Sequence, residues 1–123
     1  MATMHVELVS IEKRLWSGEA TAVFARTTEG EIGILPGHSP LLAALAPGWI
    51  VRIQQENEPE LHVAVHESFM SVRPDGVSIM AEMAETADEI DVGRARSALQ
   101  GASDDEAARE RAKARLRVVG ESV

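Results

Sequence analysis

The chain has 123 residues, a net charge of −8 and no cysteine. Disulfide and thiol chemistry are therefore excluded, and the surplus of carboxylates argues against nucleic acid or anionic lipid as the main partner. Residues 1–88 hold five Lys or Arg and thirteen Asp or Glu, whereas residues 89–123 hold seven of each. The longest apolar run, 41–46, is far shorter than the ~20 residues of a membrane-spanning helix. We therefore expect one small domain with an appendage and no direct membrane insertion.

Short β-strands separated by Gly and Pro are predicted for the first two thirds of the chain. The turn signals include Glu56–Pro59 and Pro74–Gly76. Strands of this length and spacing favour an antiparallel sandwich or barrel. The predicted strands lie at 5–9, 21–25, 49–53, 61–66, 69–72 and 77–81.

The segment from Gly30 to Leu42 combines three glycines and two prolines with apolar residues. Gly30 follows Thr28-Glu29, where a tight turn between two strands needs a residue that tolerates positive φ. Gly33 lies within a short apolar strand, which often marks a bulge or a close approach of another group. Pro36-Gly37 predicts the end of that strand and a turn. The segment is therefore predicted to form a strand, a shaped turn and a second strand.

Alanine becomes frequent after Glu85, which indicates helices. A helix is predicted over about 104–119, with Ser103 and Glu106 as a capping box and Gly120 as its stop. A shorter helix is predicted from about Asp91 to Gln100. The apolar stripe of the longer helix is predicted to comprise Ala108, Ala112, Leu116 and Val119.

Three motifs together resemble those of one family, the epsilon subunits of bacterial F-type ATP synthases. They are Glu29–Gly48, which matches a long Gly- and Pro-containing pattern, the tetrapeptide Ser17–Ala20, and Ile90–Ala95. The resemblance implies a mainly β fold with a small α part. An antiparallel β-sandwich over 1–88 would be followed by a short helical hairpin over 89–123, whose first helix is shortened here. Many relatives have Gly-Gly where this chain has Glu67-Ser68, so that point must be built differently.

The resemblance also implies a function. The chain would be a non-catalytic rotor subunit of the proton-translocating synthase, coupling rotation of the membrane c-ring to the gamma subunit. Its partners would be gamma, the c-ring and, through an inhibitory contact, the catalytic alpha and beta subunits. It would lie at the cytoplasmic side of the cell membrane as a peripheral component, and no cofactor would be required.

Four residues are predicted to contact partners. Glu29, Gly30 and Glu31 form a turn tip, and solvated turn acids are a common explanation for its charge. In the family this loop faces the rotor ring, whose polar loops carry an arginine, so an acidic rigid tip would complement it. His38 lies on the turn after Pro36-Gly37. The resemblance places it near gamma, in a structural contact.

The motif Ile90-Asp91-x-x-Arg94-Ala95 has two interpretations. Asp91 could simply cap the helix and leave Arg94 exposed. Some family members instead bind ATP with this motif, together with a preceding glutamate and arginines of both helices. The matching residues for such a regulatory ATP site are Glu85, Ile90, Asp91, Arg94, Ala95, Arg111 and Arg115.

The second helix is strongly basic, and this also has two interpretations. It could pack on the acidic sandwich, or it could act as a reversible brake that touches acidic segments of the catalytic subunits, as the resemblance implies. The residues for the inhibitory contacts are Arg109, Arg111, Lys113, Arg115 and Arg117.

No catalytic or metal-binding constellation is predicted. His62 and His66 have the spacing of a zinc pair on a helix, but along a strand they lie about 13 Å apart. We therefore expect them to be solvated strand-face histidines. A stand-alone β-sandwich enzyme or carbohydrate-binding module is the remaining alternative. It is disfavoured because the chain has two Trp, two Phe and no Tyr for sugar stacking.

Overall fold

A computed structural model describes residues 2–11, 14–101 and 104–121 of the chain. It confirms the predicted fold class, mainly β with two helices at the C-terminal end. A short 3-10 turn, Ala87–Glu89, joins the two parts. The strands are β1 (Met4–Ser10), β2 (Arg14–Ala20), β3 (Ala22–Thr27), β4 (Gly30–Ile34), β5 (Leu41–Ala44), β6 (Ile50–Gln54), β7 (Leu61–Arg73) and β8 (Gly76–Thr86), and the helices are α1 (Val92–Gly101) and α2 (Glu106–Val118).

Strand β7 links the two layers of the sandwich. The strands follow the order β2-β1-β8-β7-β6-β3-β4, and β5 also pairs with β7. Residues 61–64 of β7 pair with β6, whereas residues 69–72 pair with β5 along the same edge. Because β7 has 13 residues, it is long enough to serve both layers. The interior between the layers is filled by Val, Leu, Ile, Ala and Met side chains, the largest fully buried ones including Leu8, Ile34, Ile53, Met70 and Ile79.

The middle of β7 differs from the prediction. The stretches 61–66 and 69–72 form one continuous strand, because the register with β8 runs unbroken from His66↔Met83 to Ser68↔Ala81. Glu67, between them, takes a φ of +52°. The chain therefore passes the Gly-Gly position of its relatives without a turn, by placing a glutamate in the left-handed region.

Strand β2 was missed, and one strand pair is parallel. β2 pairs with β1 along 14–20, although its sequence alternates weakly. β1 and β8 run parallel from Val6↔Val77 to Ser10↔Ala81. A parallel pair needs a long connection. Here β2 to β7 form the connection between β1 and β8. Local sequence patterns cannot indicate that two strands so far apart in the chain are paired.

Helix α2 begins later than predicted and ends as predicted. Its N-cap is Asp105, whose side chain accepts a hydrogen bond from the Ala108 amide. Ser103, the predicted capping residue, lies outside the described residues. At the other end, the Glu121 and Gly120 amides donate to the carbonyls of residues 116 and 117. These two bonds form a Schellman motif.

The hairpin lies on the outer face of β7. Ala114 and Val118 of α2 form a buried cluster with Ala64 of β7. Ala112 and Leu116 are also buried and lie about one helical turn apart on α2. Since α2 packs on both β7 and α1, we assign this second pair to the side of α2 that faces α1. The predicted stripe was thus correct for Ala112 and Leu116. It missed the second buried side, where Val118 and not Val119 is the fully buried residue.

Candidate functional site: two exposed surfaces and a docked hairpin

The acidic tip is the two-residue turn between β3 and β4, together with the first residues of β4. Gly30 has a φ of +130°, as the turn prediction required. Thr27 stiffens the turn, because its hydroxyl donates to the Gly30 carbonyl (2.8 Å) and accepts from the Glu29 amide (3.1 Å). Glu29 and Glu31 are exposed. The tip therefore presents two carboxylates on a backbone held by its own hydrogen bonds.

Gly33 supports β4 by a close contact. Phe24 is its cross-strand partner on β3, and a Cβ placed on Gly33 would lie 3.2 Å from the Phe24 ring. The close-approach interpretation of Gly33 is therefore confirmed. The Phe24 ring covers β4 at the position where Gly33 has no side chain. The strand that carries the tip is therefore packed against a side chain of β3.

His38 lies at the other end of β4 from the acidic tip. The turn at Pro36-Gly37 closes with a hydrogen bond from the His38 amide to the Leu35 carbonyl (3.1 Å), and His38 Nδ1 lies 2.7 Å from the Ser39 carbonyl oxygen. The loop borders a cleft of about 700 Å³. Since β4 has five residues, about 15 Å separates the two ends. The four predicted contact residues thus divide between two surfaces.

An apolar row crosses four strands on the outside of the sandwich. Ala44, Phe69, Met80 and Val9 are successive cross-strand partners on β5, β7, β8 and β1, so their side chains share one face. Leu42, two residues before Ala44, lies on the same face. Leu42 is 71% exposed and Phe69 45%. We call Leu42 and these four residues the apolar face. This face was not predicted from the sequence, although Leu42 and Phe69 belong to predicted strands.

The motif at the start of α1 adopts the capping arrangement. Asp91 Oδ1 accepts from the Arg94 amide (3.0 Å), and the Asp91 carbonyl accepts from the Ala95 amide (3.0 Å). Arg94 is exposed and Ala95 is buried. Ile90 packs against the cluster beneath α2. Asp91 therefore initiates α1.

Glu85, Arg115 and His66 meet beneath α2. Arg115 Nε donates to Glu85 Oε1 at 2.8 Å, and His66 Nε2 lies 2.9 Å from the same oxygen. The expectation of a solvated His66 was wrong, since its side chain is only 5% exposed. Alternation along β7 did place His66 on the outer face, but the hairpin covers that face. His62, at the uncovered end, is 40% exposed and pairs with Glu60 at 2.7 Å.

The charge of Glu85 is stabilised in this cluster. Burial raises the pKa of Glu85. The hydrogen bonds from Arg115 and His66, with the charge of Arg115, together lower this pKa by more than burial raises it. The pKa of Glu85 therefore lies below its ordinary value of 4.5. A charged Glu85 holds α2 on β8 through Arg115.

Two basic side chains of α2, Arg115 and Arg117, bind the sandwich, and Lys113 pairs within the helix. Lys113 pairs with Glu110 at 3.2 Å, and Arg115 pairs with Glu85. Arg117 donates to the Gly48 carbonyl and lies over Trp49. Arg111 borders two clefts beside His66. Within the described part of the chain, no ion pair involves Arg109 or Arg111. The helix is thus packed on the acidic sandwich in this structure.

Neither a metal-binding cluster nor a membrane-spanning helix is found within the described ranges. No group of three or more His, Cys, Asp or Glu side chains there is arranged to hold a metal ion. No helix in these ranges has the length and apolarity to cross a bilayer.

Together, the two-layer sandwich and its docked hairpin define a β-sandwich subunit of the kind found in rotary ATP synthases. The family model of the ATP synthase delta/epsilon chain β-sandwich domain matches residues 3–87. The chain belongs to the family of ATP synthase epsilon chains. This confirms the family inferred from the three sequence motifs.

Relatives match over nearly the whole length. The ATP synthase epsilon chain of Mycobacterium avium (strain 104) is 49% identical over 120 residues, covering 98% of each chain. That of Mycobacterium sp. (strain KMS) is 50% identical over 121 residues, with the same coverage. That of Rhodococcus opacus (strain B4) is 49% identical over 119 residues, covering 97% of this chain and 98% of the relative.

Two solved structures are similar. In a structure of the Euglena gracilis mitochondrial ATP synthase, described as OSCP/F1/c-ring in rotational state 1, one chain is 26% identical with a TM-score of 0.68, over 97% of this chain and 78% of that one. In the central stalk/c-ring of the Tetrahymena thermophila mitochondrial ATP synthase, one chain is 17% identical with a TM-score of 0.61, over 96% and 92%. The second likeness concerns the fold alone. The chain is thus a component of an ATP synthase.

Proposed function

We propose that this epsilon subunit performs no catalysis itself and connects the c-ring of a proton-translocating synthase to the gamma subunit. It would act from the cytoplasmic side of the cell membrane, as a peripheral component. The observation that carries the proposal is the pair of exposed surfaces, acidic tip and apolar face, on one close-packed sandwich. A densely packed interior deforms little, so force applied at one surface reaches the other.

The apolar face is assigned to gamma. Large contiguous apolar patches on a folded protein commonly mark an interface. Leu42 follows the His38 loop closely in the chain, so the loop and the apolar face can contact one partner together. Family membership supports gamma as that partner.

The acidic tip is assigned to the ring. Glu29 and Glu31 complement basic loops, and the Thr27 hydrogen bonds keep them in place. Electrostatic complementarity of this kind sets partner choice and register.

Co-purification with gamma and the ring tests both assignments. We expect Phe69→Glu to reduce gamma binding at least tenfold, because a carboxylate would be desolvated in the interface. Val92→Glu, an apolar residue on α1 with 36% exposure, is the matched control and should bind normally. Glu31→Gln should weaken ring association and make it less sensitive to salt, whereas Glu58→Gln at another exposed turn should change neither. Full gamma binding by Phe69→Glu would refute the assignment of the apolar face.

Regulation by the hairpin is a further part of the proposal. For Arg115 and Arg117 to contact the alpha and beta subunits, they must first leave Glu85 and Trp49. Removal of residues 89–123 should then raise ATP hydrolysis by the assembled complex. Unchanged hydrolysis would refute the brake.

Binding of ATP stays a prediction. Two of its candidate residues, Glu85 and Arg115, are bound to each other, so ATP would have to displace that pair. Isothermal titration of the chain with millimolar ATP tests this, and absence of heat would refute it.

A further inference from the structure

His66 is one of two polar residues that are buried among the described residues. Its ring lies between β8 and α2. Nε2 is 2.9 Å from Glu85 Oε1, so a neutral imidazole with its proton on Nε2 already satisfies this contact. The His66 side chain is only 5% exposed, although the residue borders two clefts. A second proton on His66 would therefore place a positive charge on a largely buried ring beside a carboxylate that Arg115 already occupies.

The charges around His66 come from three elements. On β8, Glu85 is negative, but its Oε1 already accepts from Arg115. On α2, the guanidinium groups of Arg115 and Arg111 are both close enough to act on His66. Next along β7, Glu67 lies near Glu82 of β8 and raises the pKa of Glu82. His66 borders two clefts, and the carboxylates that also line them include Glu89, Glu106 and Glu110.

Burial is the largest influence on His66 and lowers its pKa. The hydrogen bond and charge of Glu85 raise the pKa, and the charges of Arg115 and Arg111 lower it again. The pKa of docked His66 therefore lies below its ordinary value of 6.5. The attraction of Glu85 alone would favour protonation, but the same carboxylate is already neutralised by Arg115.

We propose that protonation of His66 releases the helical hairpin from the sandwich, so that docking of α2 weakens in mildly acidic solution. Helix α2 supplies both guanidinium groups and much of the cover over the ring. When α2 leaves, His66 gains water and loses two repelling charges, and its pKa rises toward the ordinary value. The docked state thus binds fewer protons than the released state.

The sign of the effect follows from this difference. Above pH 6.5 both states hold a neutral His66, and docking has its full strength. As the pH falls below 6.5, the released state takes up a proton first, and the docking equilibrium constant falls by at most about tenfold per pH unit. The consequence for the enzyme complex rests on the proposed function: release frees the basic face of α2 for contact with the catalytic subunits.

Hydrogen exchange of the full-length chain tests the proposal between about pH 8 and 5.5. After correction for intrinsic exchange, the protection of α2 amides should fall severalfold between pH 6.5 and 5.5, while the protection of core amides such as Met70 and Ile79 should not change. His66→Gln keeps a side-chain donor for Glu85 and should remove the pH response. His62→Gln, which alters the exposed histidine of the same strand, should retain it.

Several outcomes would overturn the proposal. They are a constant or rising protection of α2 in acid, or an equal acid response in the His66→Gln variant. If His66→Gln already undocks the hairpin at pH 8, an NMR titration of the wild-type imidazoles decides instead. A His66 that titrates below its ordinary value of 6.5 supports the proposal, and one that titrates at or above that value refutes it. These measurements need neither gamma nor the ring, so failure of the proposed function would leave them unaffected.

Discussion

The guanidinium carbon of Arg117 on α2 lies 3.8 Å from the centroid of the Trp49 ring, immediately before β6. Arg117 also donates a hydrogen bond to the carbonyl of Gly48. The second guanidinium near this ring belongs to Arg26 of β3, at 4.5 Å. One aromatic side chain of the sandwich thus fixes the C-terminal end of the hairpin, while Glu85 fixes its middle.

Loss of the Arg117 contact should loosen the hairpin selectively. We expect Arg117→Ala to weaken docking by about 1 kcal/mol, since a cation–π contact of a partly exposed arginine has about this strength. Protection of α2 amides from hydrogen exchange should fall about fivefold, with core amides unchanged. Arg109→Ala on the same helix is the control. Equal loss of protection in both variants would show that Trp49 contributes nothing specific.

The pair of Glu85 and Arg115 should couple the hairpin to the sandwich more strongly than an exposed pair does. A double-mutant cycle with Glu85→Gln and Arg115→Gln should give a coupling of about 1–2 kcal/mol, because the pair is partly buried and lacks full solvent screening. The exposed pair Arg96–Glu121, at 2.7 Å, should give less than about 0.5 kcal/mol. Urea unfolding monitored at the helices measures both. A coupling of Glu85 and Arg115 no larger than that of the exposed pair would contradict this expectation.

Glu85 should also determine how the hairpin responds to stronger acid. Its pKa is lower in the docked state than its ordinary value of 4.5, so the released state binds more protons there. Docking is therefore fully stabilised by Glu85 above pH 4.5 and loses this contribution as the pH falls through the lowered pKa. In circular dichroism and exchange measurements from pH 5.5 to 3, Glu85→Gln should show a shallower loss than the wild type. An identical acid limb would argue against Glu85 as its source.

Features of the fold that depend on one or two neighbouring residues were predicted from the sequence, whereas features that depend on distant parts of the chain were not. The turn at Gly30 and the stop at Gly120 follow from φ requirements of single residues, and both were predicted. The cap at Asp105 was not predicted, because Ser103, Asp104 and Asp105 all have side chains that can cap a helix and the local sequence does not choose among them. The burial of His66 depends on a helix some fifty residues away. The alternation of residues along β7 distinguishes its two faces. It cannot show that one face is covered by the opposite layer of the sandwich and the other by the helical hairpin.

Strain at Glu67 should be removable. A φ of +52° places a side chain in the left-handed region, which costs a non-glycine residue about 1–2 kcal/mol. Glycine has no such penalty but loses more backbone entropy, so Glu67→Gly should raise the free energy of unfolding by about 0.5–1 kcal/mol. Urea denaturation at pH 7 measures this change.

The control for Glu67 separates strain from charge. The hydrogen bond with Glu67 and its charge raise the pKa of Glu82 on the opposite strand. Glu67→Ala removes the carboxylate but keeps a Cβ in the left-handed region, so it should return the pKa of Glu82 to its ordinary range without the gain of the glycine variant. Equal stability of the Ala and Gly variants would attribute the effect to the carboxyl pair and not to the backbone.

Leu116 should be the main apolar support between the two helices. Its side chain is fully buried, and the neighbouring buried residues Ala95 and Ala112 are too small to fill the space that truncation would leave. We expect Leu116→Ala to destabilise the hairpin by about 2–4 kcal/mol. Because α1 has only ten residues, it should not remain helical in water once its packing on α2 is weakened by this amount. Helical circular dichroism should therefore decrease while the sandwich keeps its cooperative unfolding transition. Leu99→Ala, on a half-buried residue of α1, should cost less, and a loss of the sandwich transition in Leu116→Ala would show instead that the two parts unfold as one unit.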